Sequence, residues 1–131
     1  MHLVPAAQAH RRIIDGHLIC EAISATSQAG HVHAWAKRFA LLADPGRLTL
    51  LLAIHAVPDI CVSDLAVAAD MNDTAVSQAL RLLRAAGLVQ AHKDGRIMRY
   101  RLTDDTVHNL LHQITLNPRR GALVTQRDVR G

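Results

Sequence analysis

Three sets of residues in this 131-residue sequence have types and spacings that can do chemistry. The first is a concentration of metal-ligand types near the N-terminus: His10, Asp15, His17, Cys20 and Glu21. The second is Thr74, Ser77, Gln78, Arg81 and Arg84, which at helical spacing share one side of a short helix. Hydroxyl, amide and guanidinium groups on an exposed helix face suit base edges in the major groove of DNA. Lys93, Arg96 and Arg99 follow and suit phosphates. His108 and His112 stand four apart, a spacing that lets two imidazoles on one helix face chelate a divalent metal, with Ni(II), Co(II) or Zn(II) preferred. His31 and His33 are two apart and point to different sides of a helix, and His10, His55 and His92 read as surface residues.

The elements that must position the second set occupy residues 62–101. Asn72 or Asp73 can cap a helix whose buried face carries Val76, Leu80 and Leu83 and runs on to Leu88. Gly87 stops that helix. Residues 88–92 and 97–102 alternate as strands, with Lys93-Asp94-Gly95-Arg96 as the hairpin turn. A helix, a tight turn, a second helix and a basic hairpin make a winged helix-turn-helix, so the fold class expected is mainly α with a small β-hairpin.

Charge supports a nucleic-acid partner by its distribution more than by its total. The formal charge is +4, and residues 73–101 carry six Lys/Arg against two Asp, which accounts for the whole excess. Three aromatic residues make base stacking on single strands a poor explanation, so double-stranded operator DNA is the expected partner. No apolar run is long enough for a membrane span, and no secretory signal pattern is present. Two cysteines far apart do not make a disulfide framework, which points to a cytoplasmic protein with reduced thiols.

The rest of the chain reads as support. Residues 1–30 form an arm with candidate ligands, interrupted by Gly16. Residues 31–116 form the winged helix-turn-helix domain. Trp35, Phe39 and Leu42 mark a core helix, and Asp44-Pro45 opens another that carries Leu48, Leu51, Leu52 and Ile54. Ser63 is the expected cap of the helix ahead of the reading helix. Thr103 or Asp104 caps a final helix whose stripe, Val107, Leu110, Leu111 and Ile114, can meet the core or a second subunit. Residues 117–131 are polar and basic, and a disordered tail is expected there.

Four runs resemble the ArsR/SmtB family of metal- or metalloid-responsive winged-helix repressors. They are residues 39–48 (FALLADPGRL), 60–66 (ICVSDLA), 75–89 (AVSQALRLLRAAGLV), and Gly95-Arg96 with Tyr100-Arg101-Leu102. The resemblance implies a homodimer that binds operator DNA and releases it when a divalent metal inducer binds. In this resemblance Cys61 and Asp64 stand where many members carry inducer ligands, and Asp15, His17 and Cys20 lie in the arm that completes such a site. Thiolate, imidazole and carboxylate together suit Zn(II), Cd(II) or Pb(II), with Ni(II) or Co(II) behind them. A second family location, on the final helix, retains Asp104 but has Thr106 in place of a histidine; His108 and His112 lie nearby. The family often has His where Ala79 stands, which removes one polar contact to DNA.

Other readings remain in view. Cys20 and Cys61 can form a thiol–disulfide switch in place of a metal site. A DNA-binding protein without an inducer would use the same reading helix. A metal carrier would not need that helix. No nucleophile elbow, phosphate loop or metalloprotease pair is present, so an enzyme is not expected.

Overall fold

The computed structural model describes residues 12–29 and 32–117, and chain contacts divide the protein into residues 1–39 and residues 40–131. In the first unit, helix α1 runs Gly16–Ala29. Gly16 does not interrupt the arm; it is the first residue of this helix. Asp15 precedes it and accepts the Leu18 N–H at 3.3 Å, satisfying one of the donors a helix start leaves open. Helix α2, Val32–Leu42, crosses the division between the units. Its Trp35 and Phe39 rings stand 5.8 Å apart, with the Arg38 guanidinium 4.7 Å over the Trp35 ring. Of its three expected core residues Leu42 is buried, Trp35 is half-buried and Phe39 is 53% exposed. Helical spacing identifies an apolar face but not what covers it.

In the second unit each helix buries one aliphatic face. Helix α3, Pro45–Ala56, starts as its sequence requires: Asp44 accepts the Arg47 N–H at 3.0 Å and Pro45 takes the first position. It buries Leu50, Leu51 and Ile54, while Leu48 and Leu52 are half-buried. Helix α4, Val62–Ala69, adds Leu65 and Ala66 and ends at Asp70, whose φ of 53° closes it. Helix α5, Asp73–Ala85, is capped by Asn72, which accepts the Ala75 N–H at 2.7 Å. Its buried face is Val76, Ala79, Leu80 and Leu83. Helix α6, Asp105–Leu116, is capped by Asp104 and buries Val107 and Leu111. Leu42, Leu88 and Val89 complete a core that is wholly aliphatic. Cutting one of these leucines to alanine removes about 2–5 kcal/mol, because a packed core relaxes little around the cavity.

Two expectations need correction. The hairpin is part of a three-stranded antiparallel sheet, order β1-β3-β2, with β1 at Ile60–Cys61, β2 at Val89–Asp94 and β3 at Ile97–Leu102. Two residues carry too little alternation to be seen in sequence, yet Ile60 pairs with Tyr100 and Cys61 with Arg99. Lys93 and Asp94 belong to the ladder, opposite Met98 and Ile97, so the turn is Gly95-Arg96, with Gly95 at φ 65°. The second correction concerns the start of α4. Its cap position is Cys61, with no side-chain cap bond, and Ser63 lies inside the first turn with its hydroxyl 3.4 Å from the Cys61 Sγ.

The stripe on α6 divides. Val107 and Leu111 meet the core, whereas Leu110 and Ile114 are 37% and 40% exposed. Most of the expected tail and residues 1–11 lie outside the described residues.

Candidate nucleic-acid interface and inducer site

Helices α4 and α5 are joined by a turn at Asp70, Met71 and Asn72, which is a helix-turn-helix. The core fixes which side of α5 looks outward. With Val76, Ala79, Leu80 and Leu83 buried, Thr74, Ser77, Gln78, Arg81 and Arg84 are all exposed, as their spacing requires. Ala79 is 8% exposed and lies on the core face of α5.

The hairpin supplies the wing. Lys93 and Arg96 are exposed at its tip. Arg99 is not similarly available. Its Nε donates to Asp94 Oδ2 at 2.9 Å and its Nη1 to the Asp59 carbonyl at 3.1 Å, which ties β3 to the turn ahead of β1. Arg101, not singled out from sequence, donates twice to the Asp59 carboxylate. That hydrogen bond above all holds the Asp59 carboxyl below its ordinary range. His92 is also exposed, with Nε2 3.7 Å from the same carboxylate.

Among the candidate inducer ligands, Cys61 has the most informative position. It is half-buried, carries a free thiol, and is both the last residue of β1 and the cap of α4. It therefore touches the wing through its pairing with Arg99 and the helix-turn-helix through α4. Cys61, Val62, Ser63, Asp73, Arg96, Ile97 and Met98 line an open cavity of about 380 Å³, which joins the first residue of α5 to the tip of the wing. Asp64 is exposed in the first turn of α4. In the other unit, Asp15 caps α1, exposed His17 is 3.5 Å from Glu21, and Cys20 is half-buried. Among the described residues no three His, Cys, Asp or Glu side chains are gathered as a ready metal cage.

His55, read from sequence as a surface residue, is instead half-buried and meets His108 and His112. Its ring centroid lies 4.8 Å from that of His108 and 5.7 Å from that of His112. Burial first, and then the two neighbouring imidazoles, lower the His55 pKa. A long-range approach between α3 and α6 leaves no local sequence signal. His10 and His31 lie outside the described residues, and His33 is exposed.

The comparisons with known proteins agree with this geometry. A family profile described as "Bacterial regulatory protein, arsR family" matches residues 44–91. The transcriptional repressor SmtB homolog of Synechocystis sp. is 43% identical over 79 residues, or 60% of this chain and 59% of that protein. This chain thus spans less than two thirds of that relative's length. The HTH-type transcriptional repressor SmtB of Mycobacterium tuberculosis is 31% identical over 103 residues, covering 79% of this chain and 73% of the relative. Among solved structures, a homodimeric winged helix-turn-helix DNA-binding domain from Mycobacterium bovis gives a TM-score of 0.61 at 27% identity, covering 72% of this chain and 88% of that one.

Proposed function

The chain belongs to the ArsR family of bacterial regulatory proteins, and on that premise we propose that it is a cytoplasmic, homodimeric transcriptional repressor whose inducer is a divalent metal ion. Family and relatives are regulators and not enzymes. In this reading Thr74, Ser77, Gln78, Arg81 and Arg84 contact operator DNA from α5, Lys93 and Arg96 contact phosphates from the wing, and Arg99 braces the wing. The exposed Leu110 and Ile114 of α6 are the apolar surface offered to a second subunit.

The observation that carries the inducer reading is Cys61 at the junction of β1 and α4. A metal held there, with Asp64 and further donors, acts on the wing and on the helix leading into α5 together. Thiolate, imidazole and carboxylate donors favour Zn(II), Cd(II) or Pb(II) over Ni(II) or Co(II).

The test is fluorescence anisotropy of the full chain on its own upstream DNA, under reducing conditions, with each metal in turn. A metal that weakens binding by tenfold or more, about 1.4 kcal/mol of coupling, and loses that effect in Cys61→Ser supports the reading. Release by oxidant alone, with every metal silent, replaces it with a Cys20–Cys61 thiol switch. No release under any condition leaves a DNA-binding protein without this inducer site.

A further inference from the structure

Asp59 stands in the turn between α3 and β1, and its polar groups are all engaged by the wing. Its N–H donates to the Tyr100 carbonyl at 3.0 Å, and its own carbonyl accepts from Arg99 Nη1 at 3.1 Å. Its carboxylate accepts from Arg101 Nε at 2.8 Å and Nη2 at 2.6 Å, with His92 Nε2 3.7 Å away. Three of these partners are consecutive on β3 and the fourth lies on β2. On the DNA-binding reading above, we propose that Asp59 is a positioning residue that sets the sequence selectivity of binding. It fixes the wing to the turn that leads through β1 into α4, and it withholds Arg99 and Arg101 from phosphates.

The two faces of the sheet show how. Cross-strand neighbours share a face, so Val89, Tyr100 and Leu102 lie on the core side and His92, Arg99 and Arg101 on the outer side. On that outer side each guanidinium has a carboxylate. Arg99 Nε meets Asp94 Oδ2 at 2.9 Å, and Arg101 meets Asp59. At the tip Lys93 and Arg96 are exposed, and among the described residues neither forms an ion pair. Positive charge is therefore free at the tip of the wing and balanced along its flank.

Selectivity is where this arrangement matters most. The Arg101 and Asp59 side chains are 47% and 36% exposed, and a solvent-screened pair adds little to folding. Its effect on DNA is larger, because phosphate contacts are blind to sequence and base contacts are not. A released Arg101 adds sequence-blind attraction along the flank. A wing no longer held at Asp59 also loses its fixed position relative to α5, whose base contacts need one register. Loss of the anchor thus strengthens binding to any duplex and weakens preference for one.

The experiment is anisotropy of the full chain at neutral pH, reduced and with chelator present. It uses a duplex from the protein's own upstream region and a random duplex of equal length, at several salt concentrations. Asp59→Asn is the informative variant, because Asn tolerates the φ of 67° found there. It should bind the upstream duplex more weakly and the random duplex as tightly or more so, lowering the ratio of the two affinities by about tenfold. Its salt slope on the random duplex should steepen by about one unit. Arg101→Gln breaks the same anchor and removes the cation, so the ratio should fall with no steeper slope. Asp94→Asn adds the same charge to the wing with the Asp59 anchor intact, and should tighten both duplexes and keep the ratio.

Loss of folded protein alone weakens both duplexes in proportion and leaves the ratio unchanged. An unchanged ratio in either Asp59→Asn or Arg101→Gln therefore overturns the proposal. So does an equal fall in Asp94→Asn, which would assign the effect to charge alone. A parent that binds neither duplex, or both equally, overturns the DNA-binding reading itself and the role of Asp59 with it.

Discussion

The Asp59 carboxylate accepts two hydrogen bonds from Arg101, at 2.8 and 2.6 Å, across 42 residues of sequence. The pair fastens the turn ahead of β1 to the end of β3, beside the Cys61–Arg99 register. Asp59 also holds a φ of 67°, a conformation that Asp and Asn tolerate better than other side chains.

That pair predicts an acid-limb dependence with a defined sign. The Arg101 hydrogen bond, the largest cause, depresses the Asp59 pKa in the folded state. The resulting stability is fully present above the ordinary carboxylate value of about 3.9 and is lost as pH falls through the lower folded value. Asp59→Asn keeps the backbone conformation and removes the charge. Denaturant unfolding measured from neutral pH to below pH 4 should show a shallower acid limb in the variant. A limb as steep as the parent's would assign the dependence to other carboxylates.

On α5, Arg81→Ala should cost about 1–3 kcal/mol of operator binding if Arg81 reads a guanine, and should relax specificity at one position. Lys93→Ala should weaken specific and random DNA alike and reduce the salt slope by about one unit. Anisotropy on both DNAs at several salt concentrations separates the two. Parent-like binding by both variants would move the DNA surface elsewhere.

The caps give a stability test. Asn72→Ala removes the bond to the Ala75 N–H and should cost about 0.5–2 kcal/mol. Ser63→Ala removes no helix cap and should stay within about 0.5 kcal/mol of the parent. Urea unfolding of the two variants checks both values, and a loss for Ser63→Ala as large as that for Asn72→Ala would contradict the cap position at Cys61.

Gly87 ends α5 at φ 76°, with open space where a Cβ would project. Gly87→Ala should therefore lose about 1–2 kcal/mol from backbone strain alone, and Gly87→Asn should lose less. Equal losses in urea unfolding would point to a side-chain cause.

For the dimer surface, Leu110→Glu with Ile114→Glu should shift the full chain toward monomer in sedimentation velocity without shifting its far-UV spectrum, since both side chains lie off the core. An unchanged sedimentation coefficient would exclude that face of α6.

What could be read in the sequence was what local physics controls. Asp44-Pro45, Asn72 and Gly87 act through their own and neighbouring backbone, so their roles were visible in a few residues. The exposed set on α5 followed from the spacing of Val76, Leu80 and Leu83. Long-range partners were hidden. Two-residue β1 has no periodicity, Arg99 and Arg101 were basic residues until Asp59 was placed beside them, and His55 was one histidine of nine. Apolar spacing also could not separate the core side of Leu111 from the open side of Leu110.

Helices α3, α5 and α6 begin with an Asp or Asn oxygen holding a backbone N–H, whereas α4 begins at Cys61 with no such bond. Carboxylate and amide caps are permanent features of a sequence. Sulfur is not: as a thiol it is a weak acceptor, and as a thiolate or an oxidised acid it places negative charge at the positive end of a helix. The start of α4, alone among these four, thus rests on a residue whose side chain can change its chemistry, at the head of the helix that precedes α5.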